Sequence, residues 1–466
     1  MIRCRKGGIR DVFDIIIKGK IVTADRVVDG CIGIKDEKIE KIFGREEKFS
    51  AKKIIDVKNS YIFPGFIDTH AHLNDPGYTW REDYEHGTAA AAVGGYTTIL
   101  DMPLQNNPSL TNMGAFEQKK DAVKGQAYVD YCFWGGLIPD NLNELKDLKE
   151  KGCKFFKAFI GPVSSDYSSM NYGQAYEAMM ILQKLNARAG FHCEDYTIIK
   201  HLEKRMREER KTTWSSYLEA RPVVAELIAT EAVIEMAKKT GCKIHICHVS
   251  SPEVAEKVRQ AQKEGYDVTA ETCAHYLSMT EEDVLQNGEL FKCAPPLRAK
   301  EDVEQLWEYV KDGTFSGIAS DHSPCMWEEK YKEILGKKIE NVFDVWGGIS
   351  GIQSSVQTAF YEGVIKRGIA PEILADVMVA KPAKAFRLYG KKGDIKEGFD
   401  ADLTIIDPNR KWKIKKESLL YVNKISAYIG KEGIGMPVLT MVRGNIVAEN
   451  GKLLCDKKIG KLIIPN

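Results

Sequence analysis

Over the first sixty residues, apolar and polar positions alternate in short runs. Residues 14–17 lead into Lys18-Gly19-Lys20, followed by 21–23, Asp29-Gly30, 31–34 and 39–43. Runs this short, punctuated by glycine and aspartate, predict strands separated by turns. Residues 401–407 and 439–447 have the same texture, with turns predicted at Arg443-Gly444-Asn445 and Asn450-Gly451. The two ends are therefore expected to pair into one small β-sandwich domain, residues 1–62 plus 393–466.

Between them the period changes. Apolar runs suited to buried strands fall at 63–70, 96–103, 128–137, 155–160, 189–193, 243–249, 267–273 and 317–321. Helical patterns such as 222–239 and 252–264 separate most of them. Strand and helix in alternation imply βα units on a parallel sheet. Eight units predict an α/β fold, a (β/α)8 TIM-like barrel over residues 63–392, with its chemistry at the C-terminal strand ends.

The strand ends carry the candidate chemistry. The first ends in His70 and His72, two residues apart and so on one face of a strand. Two imidazoles projecting together are a natural way to hold a divalent metal. Later ends carry His192 and Glu194, His245 and His248, and Asp321 and His322, while the fourth strand carries Lys157 among apolar neighbours. Taken singly, each reads as well as a core residue, a helix cap or a snorkelling lysine. A barrel would bring them all to one mouth, which favours a metal site. Lys154 and His245 lie three residues from Lys157 and His248, so within each pair the two side chains point to opposite faces of a strand.

Composition removes some classes of function. A net charge of +1 gives no reason to expect nucleic acid or an acidic membrane as partner. No apolar run is long enough for a transmembrane helix, and residues 1–14 lack a signal-peptide core. The eleven cysteines form no C-x-x-C pair, so buried free thiols in a reducing compartment are expected. A soluble cytoplasmic protein is the simplest expectation.

Several stretches together resemble the cyclic amidohydrolases, the family of hydantoinases, dihydropyrimidinases, dihydroorotases and allantoinases. They are PGFIDTHAHLNDPG (64–77), GTAAAAVGGYTTILDMP (87–103), FKAFIG (156–161), FHCED (191–195), HICHVSSPE (245–253), ETCAHYLSMT (271–280), KCAPPLR (292–298) and SDHSPC (320–325). Their order and spacing make the resemblance specific over nearly the whole chain. It implies two divalent metal ions, zinc foremost, with cobalt, manganese or nickel as alternatives. His70, His72 and Asp321 would hold one and His192 and His248 the other. Lys157, carboxylated to a carbamate, would bridge them. The implied reaction is hydrolysis of a cyclic amide by metal-activated water, with Asp321 carrying the proton to the leaving nitrogen. The implied assembly is a homo-oligomer, a tetramer by family analogy.

The substrate reading rests on finer detail. Asn74 stands where dihydroorotases resemble one another in carrying an arginine for a carboxylate, and HAHLN is similar to the allantoinase form. MPLQNNP (102–108), WGGISGIQS (346–354) and ISAYIGKEGIG (425–435) also resemble allantoinase segments, whereas NDPGYTWRED (74–83) departs from the family form NEPGRTEWEG. The implied substrate is a cyclic ureide, allantoin, opened to allantoate. Hydantoin or dihydropyrimidine rings are the alternative, with dihydroorotase or a non-catalytic assembly relative behind them. Asn74, Cys293, Pro296, Trp346 and Gly347 are the candidate substrate contacts, and residues 161–173 a candidate lid.

Overall fold

The computed structural model describes residues 13–163, 166–454 and 457–466. The reading of the first residues, and Cys4 and Cys455, lie outside them. The chain opens with β1 (Phe13–Val22), β2 (Val27–Lys35), β3 (Lys38–Phe43) and β4 (Ala51–Pro64). Nine parallel-sheet strands follow: β5 (Phe66–Ala71), β6 (Tyr96–Asp101), β7 (Asp130–Phe133), β8 (Gly135–Gly136), β9 (Phe155–Ile160), β10 (Arg188–Cys193), β11 (Lys243–Ile246), β12 (Val268–Cys273) and β13 (Gly317–Ala319). A small hairpin, β14 (Glu333–Ile334) and β15 (Lys337–Lys338), precedes β16 (Leu403–Lys413), β17 (Glu432–Val442), β18 (Asn445–Glu449) and β19 (Lys452–Leu453).

Strands from both ends form one eight-stranded sheet in the order β19-β18-β17-β16-β4-β1-β2-β3. β4 joins the halves, parallel to β1 and antiparallel to β16. No turn forms at Lys18-Gly19-Lys20: β1 runs straight through, and its register against β4 shifts there. A Cβ on Gly19 would lie 2.5 Å from Val57 Cγ2, so the glycine serves a close strand approach instead of a turn. The real reversal is at Asp36 and Glu37, with φ of 48° and 68°. The later turns do use the glycines, at Arg443-Gly444 and Asn450-Gly451, all four with positive φ.

The expected strand at 63–70 is two strands. Phe63 and Pro64 still pair with Thr404 and Leu403 in the terminal sheet. The chain then turns through Gly65, where a Cβ would strike the Thr97 side chain, and β5 begins at Phe66. Similarly, the expected strand 128–137 is broken at Trp134 into β7 and β8. That buried indole donates to the Thr69 carbonyl at 3.2 Å and packs on Phe155 and Phe386.

The parallel strands form two sheets, β5-β6-β7 and β8-β9-β10-β11-β12-β13. They abut at both edges: through Trp134 on one side, and on the other where the His72 amide donates to the His322 carbonyl at 2.8 Å. Helices cover the outer side. Pro252–Lys263 shows why they form where they do. Ser251 caps it, Pro252 occupies the first turn, and Val254, Ala255, Val258 and Ala261 are buried at helical spacing.

One buried ion cluster joins the terminal sheet to the parallel strands. Asp130 of β7 accepts from Lys392 at 2.7 Å and from Arg443, and Lys392 reaches Asp402 at 2.5 Å. Burial raises the cost of ionising Asp130, but Lys392 and Arg443 overcome it and hold the carboxyl below its ordinary range. Asp130, Asp400 and Asp402 converge as a metal site would, yet Lys392 already sits among them. Removing the central anion strips Arg443 of its buried carboxylate and leaves Lys392 to Asp402 and Asp400. Asp130→Ala is therefore expected to lose about 3–5 kcal/mol of stability. Urea unfolding measures this, and a loss below about 1 kcal/mol would show the cluster to be dispensable.

Candidate metal centre

His70 lies in β5 and His72 just beyond its end, both buried. Glu271 of β12 sits behind His70, with its Oε1 2.6 Å from His70 Nδ1. The carboxylate also accepts from the Thr69 hydroxyl and lies 3.3 Å from His245 Nε2. A ring donating from Nδ1 keeps its Nε2 lone pair free. That Nε2 lies 3.4 Å from Asp321 Oδ1, and His72 Nε2 lies 3.5 Å from the same oxygen. One ligand atom from each of these residues falls within 4.8 Å of the others.

The second group is built the same way. His192 of β10 has its Nε2 2.9 Å from Glu194 Oε2, and Arg221 clamps that carboxylate at 2.5 Å. With its proton held toward Glu194, His192 turns Nδ1 to His248 Nε2, 3.1 Å away. The His70 and His248 rings are 5.3 Å apart, so the two groups adjoin. Lys157 of β9 lines the same cavity, fully buried, and its Nζ makes no hydrogen bond among the described residues.

Backbone and charge suit these side chains to ligation. His248 and Asp321 follow the ends of β11 and β13, with φ of 38° and 40°. These left-handed turns end the expected strands 243–249 and 317–321 early and re-aim the side chains. Asp321 is fixed through Ser320, whose amide and hydroxyl both donate to Asp68, at 3.0 and 2.5 Å. Burial drives the His70 pKa down to about 4, aided by the Lys157 ammonium, and takes His248 well below its usual value for the same reasons. His192 is lowered chiefly by burial. Burial opposes ionised Asp321, but His70 and His72 win and hold it at about 2. Neutral imidazoles around an ionised carboxylate are a fitting donor set for dications. The Lys157 side chain, buried with no hydrogen bond at Nζ, is the one member that does not suit them.

A cavity of about 360 Å³ opens over these groups. Trp346 and Gly347 line it; Asn74, Cys293 and Pro296 do not. Asn74 is fully buried behind the wall, donating to the Gln105 carbonyl at 3.0 Å. The Cys293 thiol turns inward to the Pro295 carbonyl, and Pro296 is buried. Pro162, Val163 and Asp166 of the candidate lid line the cavity, while residues 164–165 lie outside the described ones. Lys154 is half-buried away from the cavity. His245 turns to Thr269 and Glu271, supporting the ligand side from behind. Gln105, Arg81, Ser323 and Lys292 also line the wall. Sequence reading did not single them out, because their place depends on loops that no periodicity describes. Glu194 and Glu271 stood in plain view, inside FHCED and ETCAH, but only the fold shows each behind an imidazole.

Comparison with known proteins places this arrangement. The model of the amidohydrolase family matches residues 61–447. An allantoinase of Rubrobacter xylanophilus is 38% identical over 443 residues, 95% of this chain and 96% of its own. An allantoinase of Salmonella newport is 36% identical, covering 93% and 95%. Among solved structures, an L-hydantoinase (dihydropyrimidinase) from Arthrobacter aurescens superposes with a TM-score of 0.93 at 32% identity, over 97% of this chain and all of its own.

The carboxylates behind the imidazoles give a test that does not depend on turnover. Glu271→Gln keeps an acceptor for His70 but removes the charge that raises the ring's basicity. Metal affinity is expected to fall about 10–100-fold, read by competition with a chromophoric chelator. Unchanged affinity would mean that Glu271 only packs.

Proposed function

Because the chain belongs to the amidohydrolase family, we propose that it is an allantoinase, opening the hydantoin ring of allantoin to give allantoate. The observation that carries this reading is the near full-length likeness to relatives named allantoinase. The cavity chemistry agrees with it. Arg81 is tied to Glu329 at 2.8 Å, Arg221 to Glu194, and Lys292 to the carbonyls of Val342, Phe343 and Val345. These basic groups are committed within the protein, which suits a neutral ureide. Hydrolysis of simple hydantoin or dihydropyrimidine rings is the second reading, favoured by the likeness to the Arthrobacter enzyme.

The fold reading goes with it. The two abutting parallel sheets form a (β/α)8 barrel, with the strands broken at Trp134 counted as one. The terminal sheet curls into a sandwich, since Ile34 and Ile39 share a core with Leu439 and Met441 from its other half. The proposed domains are residues 63–392 and residues 1–62 plus 393–466. No helix among the described residues is long and apolar enough to cross a membrane. A cytoplasmic homotetramer completes the proposal.

His70, His72 and Asp321 would hold one metal and His192 and His248 the other, zinc being favoured by the imidazole and carboxylate donors. Carbon dioxide adding to Lys157 Nζ, with loss of a proton, would give a carbamate that bridges both and relieves the unpaired buried amine. When bound, such a pair supplies a water of lowered pKa and polarises the scissile carbonyl. The protein does the rest. Asp321 takes the proton of the attacking water and delivers it to the leaving ring nitrogen. Glu271 and Glu194 keep His70 and His192 in the ligating tautomer. Trp346 and Gly347 form part of the cavity wall beside these groups.

Turnover of allantoin, hydantoin, dihydrouracil and dihydroorotate at defined metal content tests the reading. Allantoin is expected to have the highest kcat/KM and dihydroorotate none. A large preference for unsubstituted hydantoin would instead establish the second reading. Lys157→Ala is expected to lose most turnover together with one metal equivalent, and full activity in that variant would refute the bridge.

A further inference from the structure

Arg298, which closes KCAPPLR, lies outside the cavity, and so does Glu226 of the helix Val223–Thr240. Both are buried, 8% and 2% exposed, and their side chains pair at 3.3 Å. A buried ion pair adds little stability through its own attraction, because desolvation offsets it. What the two ions hold matters more.

Each grips the chain behind one histidine of the second group. Glu226 takes Ser250, whose amide donates to Oε1 at 2.9 Å and whose hydroxyl donates to Oε2 at 2.5 Å. Ser250 follows His248 by two residues, and His248 has the left-handed φ of 38°. The carboxylate therefore fixes where the chain goes after that turn. Arg298 donates from Nε to the same Ser250 hydroxyl at 3.0 Å and from Nη1 to the Arg221 carbonyl at 2.8 Å. Arg221 is the residue whose guanidinium clamps Glu194, and Glu194 lies 2.9 Å from the His192 ring. Two chains of bonds thus leave one ion pair and end on the two histidines. One runs from Arg298 through Arg221 and Glu194 to His192, the other from Glu226 through Ser250 to His248. Among the described residues, neither ion bonds through its side chain to His70, His72 or Asp321.

We infer that Arg298 and Glu226 are positioning residues for the second metal: they hold His192 and His248 at the mutual aim that lets the two rings ligate, and they leave the other group alone. The inference rests on the two-metal reading. His192 Nδ1 and His248 Nε2 stand 3.1 Å apart because both rings point to one place. This group has two ligands of its own where the other has three, so a loss of aim in either ring costs it more.

The test measures zinc affinity for each equivalent by competition with a chromophoric chelator, with bicarbonate present. It compares the wild type, Glu226→Gln, Arg298→Lys and a double variant that joins Arg298→Met to Glu226→Gln. His192→Ala marks the equivalent that belongs to the second group. The double variant removes both ions at similar volume, a change that buried pairs commonly tolerate. In it, the second equivalent is expected to weaken about 10-fold or more and the first by less than about 2-fold, as for other groups that act behind metal ligands. Glu226→Gln is expected to weaken the same equivalent by less, since it keeps an acceptor for Ser250. Arg298→Lys keeps the charge but not the fork that reaches Ser250 and Arg221 together, and is expected to fall between wild type and the double variant. Thermal unfolding of each variant gives the comparison with a merely structural role, which would lower Tm while weakening both equivalents or neither. Equal weakening of both, or wild-type affinity for both, would overturn the inference. Should the double variant not fold, Arg298→Lys carries the same comparison. A wild type that binds fewer than two equivalents would instead remove the two-metal reading and the inference with it.

Discussion

The Glu271 carboxylate is the point on which the candidate site depends. It is fully buried, and a buried charge is tolerable only when neighbours satisfy it. Burial opposes its ionisation, yet His245 and His70 hold its pKa well below the ordinary range. In satisfying itself it ties β5, β11 and β12 together through Thr69, His70 and His245. The same bonds fix which nitrogen of His70 faces Asp321. Folding and ligand geometry are thus one constraint. Glu194, gripped by Arg221 and His192, repeats the device on the other side, and its pKa of about 2 has the same origin: burial opposes, Arg221 and His192 prevail.

Backbone strain concentrates around this point. His248, Asp321 and Gln105 all sit at positive φ without being glycine. At about 1–3 kcal/mol each, such residues persist only where the surroundings over-determine them. Asp68 does this for Asp321 through Ser320, and Asn74 for Gln105. His248 and Asp321 each lie two residues past a strand end, and the left-handed turn there takes the backbone out of the extended path that the strand would have kept.

How much of this could be read from the sequence follows from the same physics. Strand period two put His70 and His72 together, and β9 runs over the expected residues because Phe155–Ile160 is a plain buried run. Residues at irregular backbone defeated the pattern. Period alone cannot show that β1 passes through Gly19, or that Gly65 divides two sheets, because glycine marks a turn and a close approach alike. Nor could it show that Asn74 lies behind the wall and Gln105 in front of it. Asn74 was visible in HAHLN, but that it bonds the Gln105 carbonyl, distant in sequence, was not.

Asn74 by itself looks sufficient to disfavour a carboxylate substrate, but the cavity wall locates the cause elsewhere. Arg81, Arg221 and Lys292 all line the cavity, so basic side chains are not lacking. What matters is that each is already bound. Arg81 lies along Glu329 and over the Trp346 and Tyr78 rings, 4.4 and 4.9 Å from their centres. Recruiting it for a substrate carboxylate would mean breaking a buried ion pair, a cost of about 3–5 kcal/mol that a new pair would have to offset. The two arginines of the wall are thus held by carboxylates, Arg81 by Glu329 and Arg221 by Glu194, and Lys292, which burial takes well below its usual basicity, is held by carbonyls. The departure from the family form at Tyr78 fits this arrangement, because the tyrosine ring carries the arginine that is kept out of play.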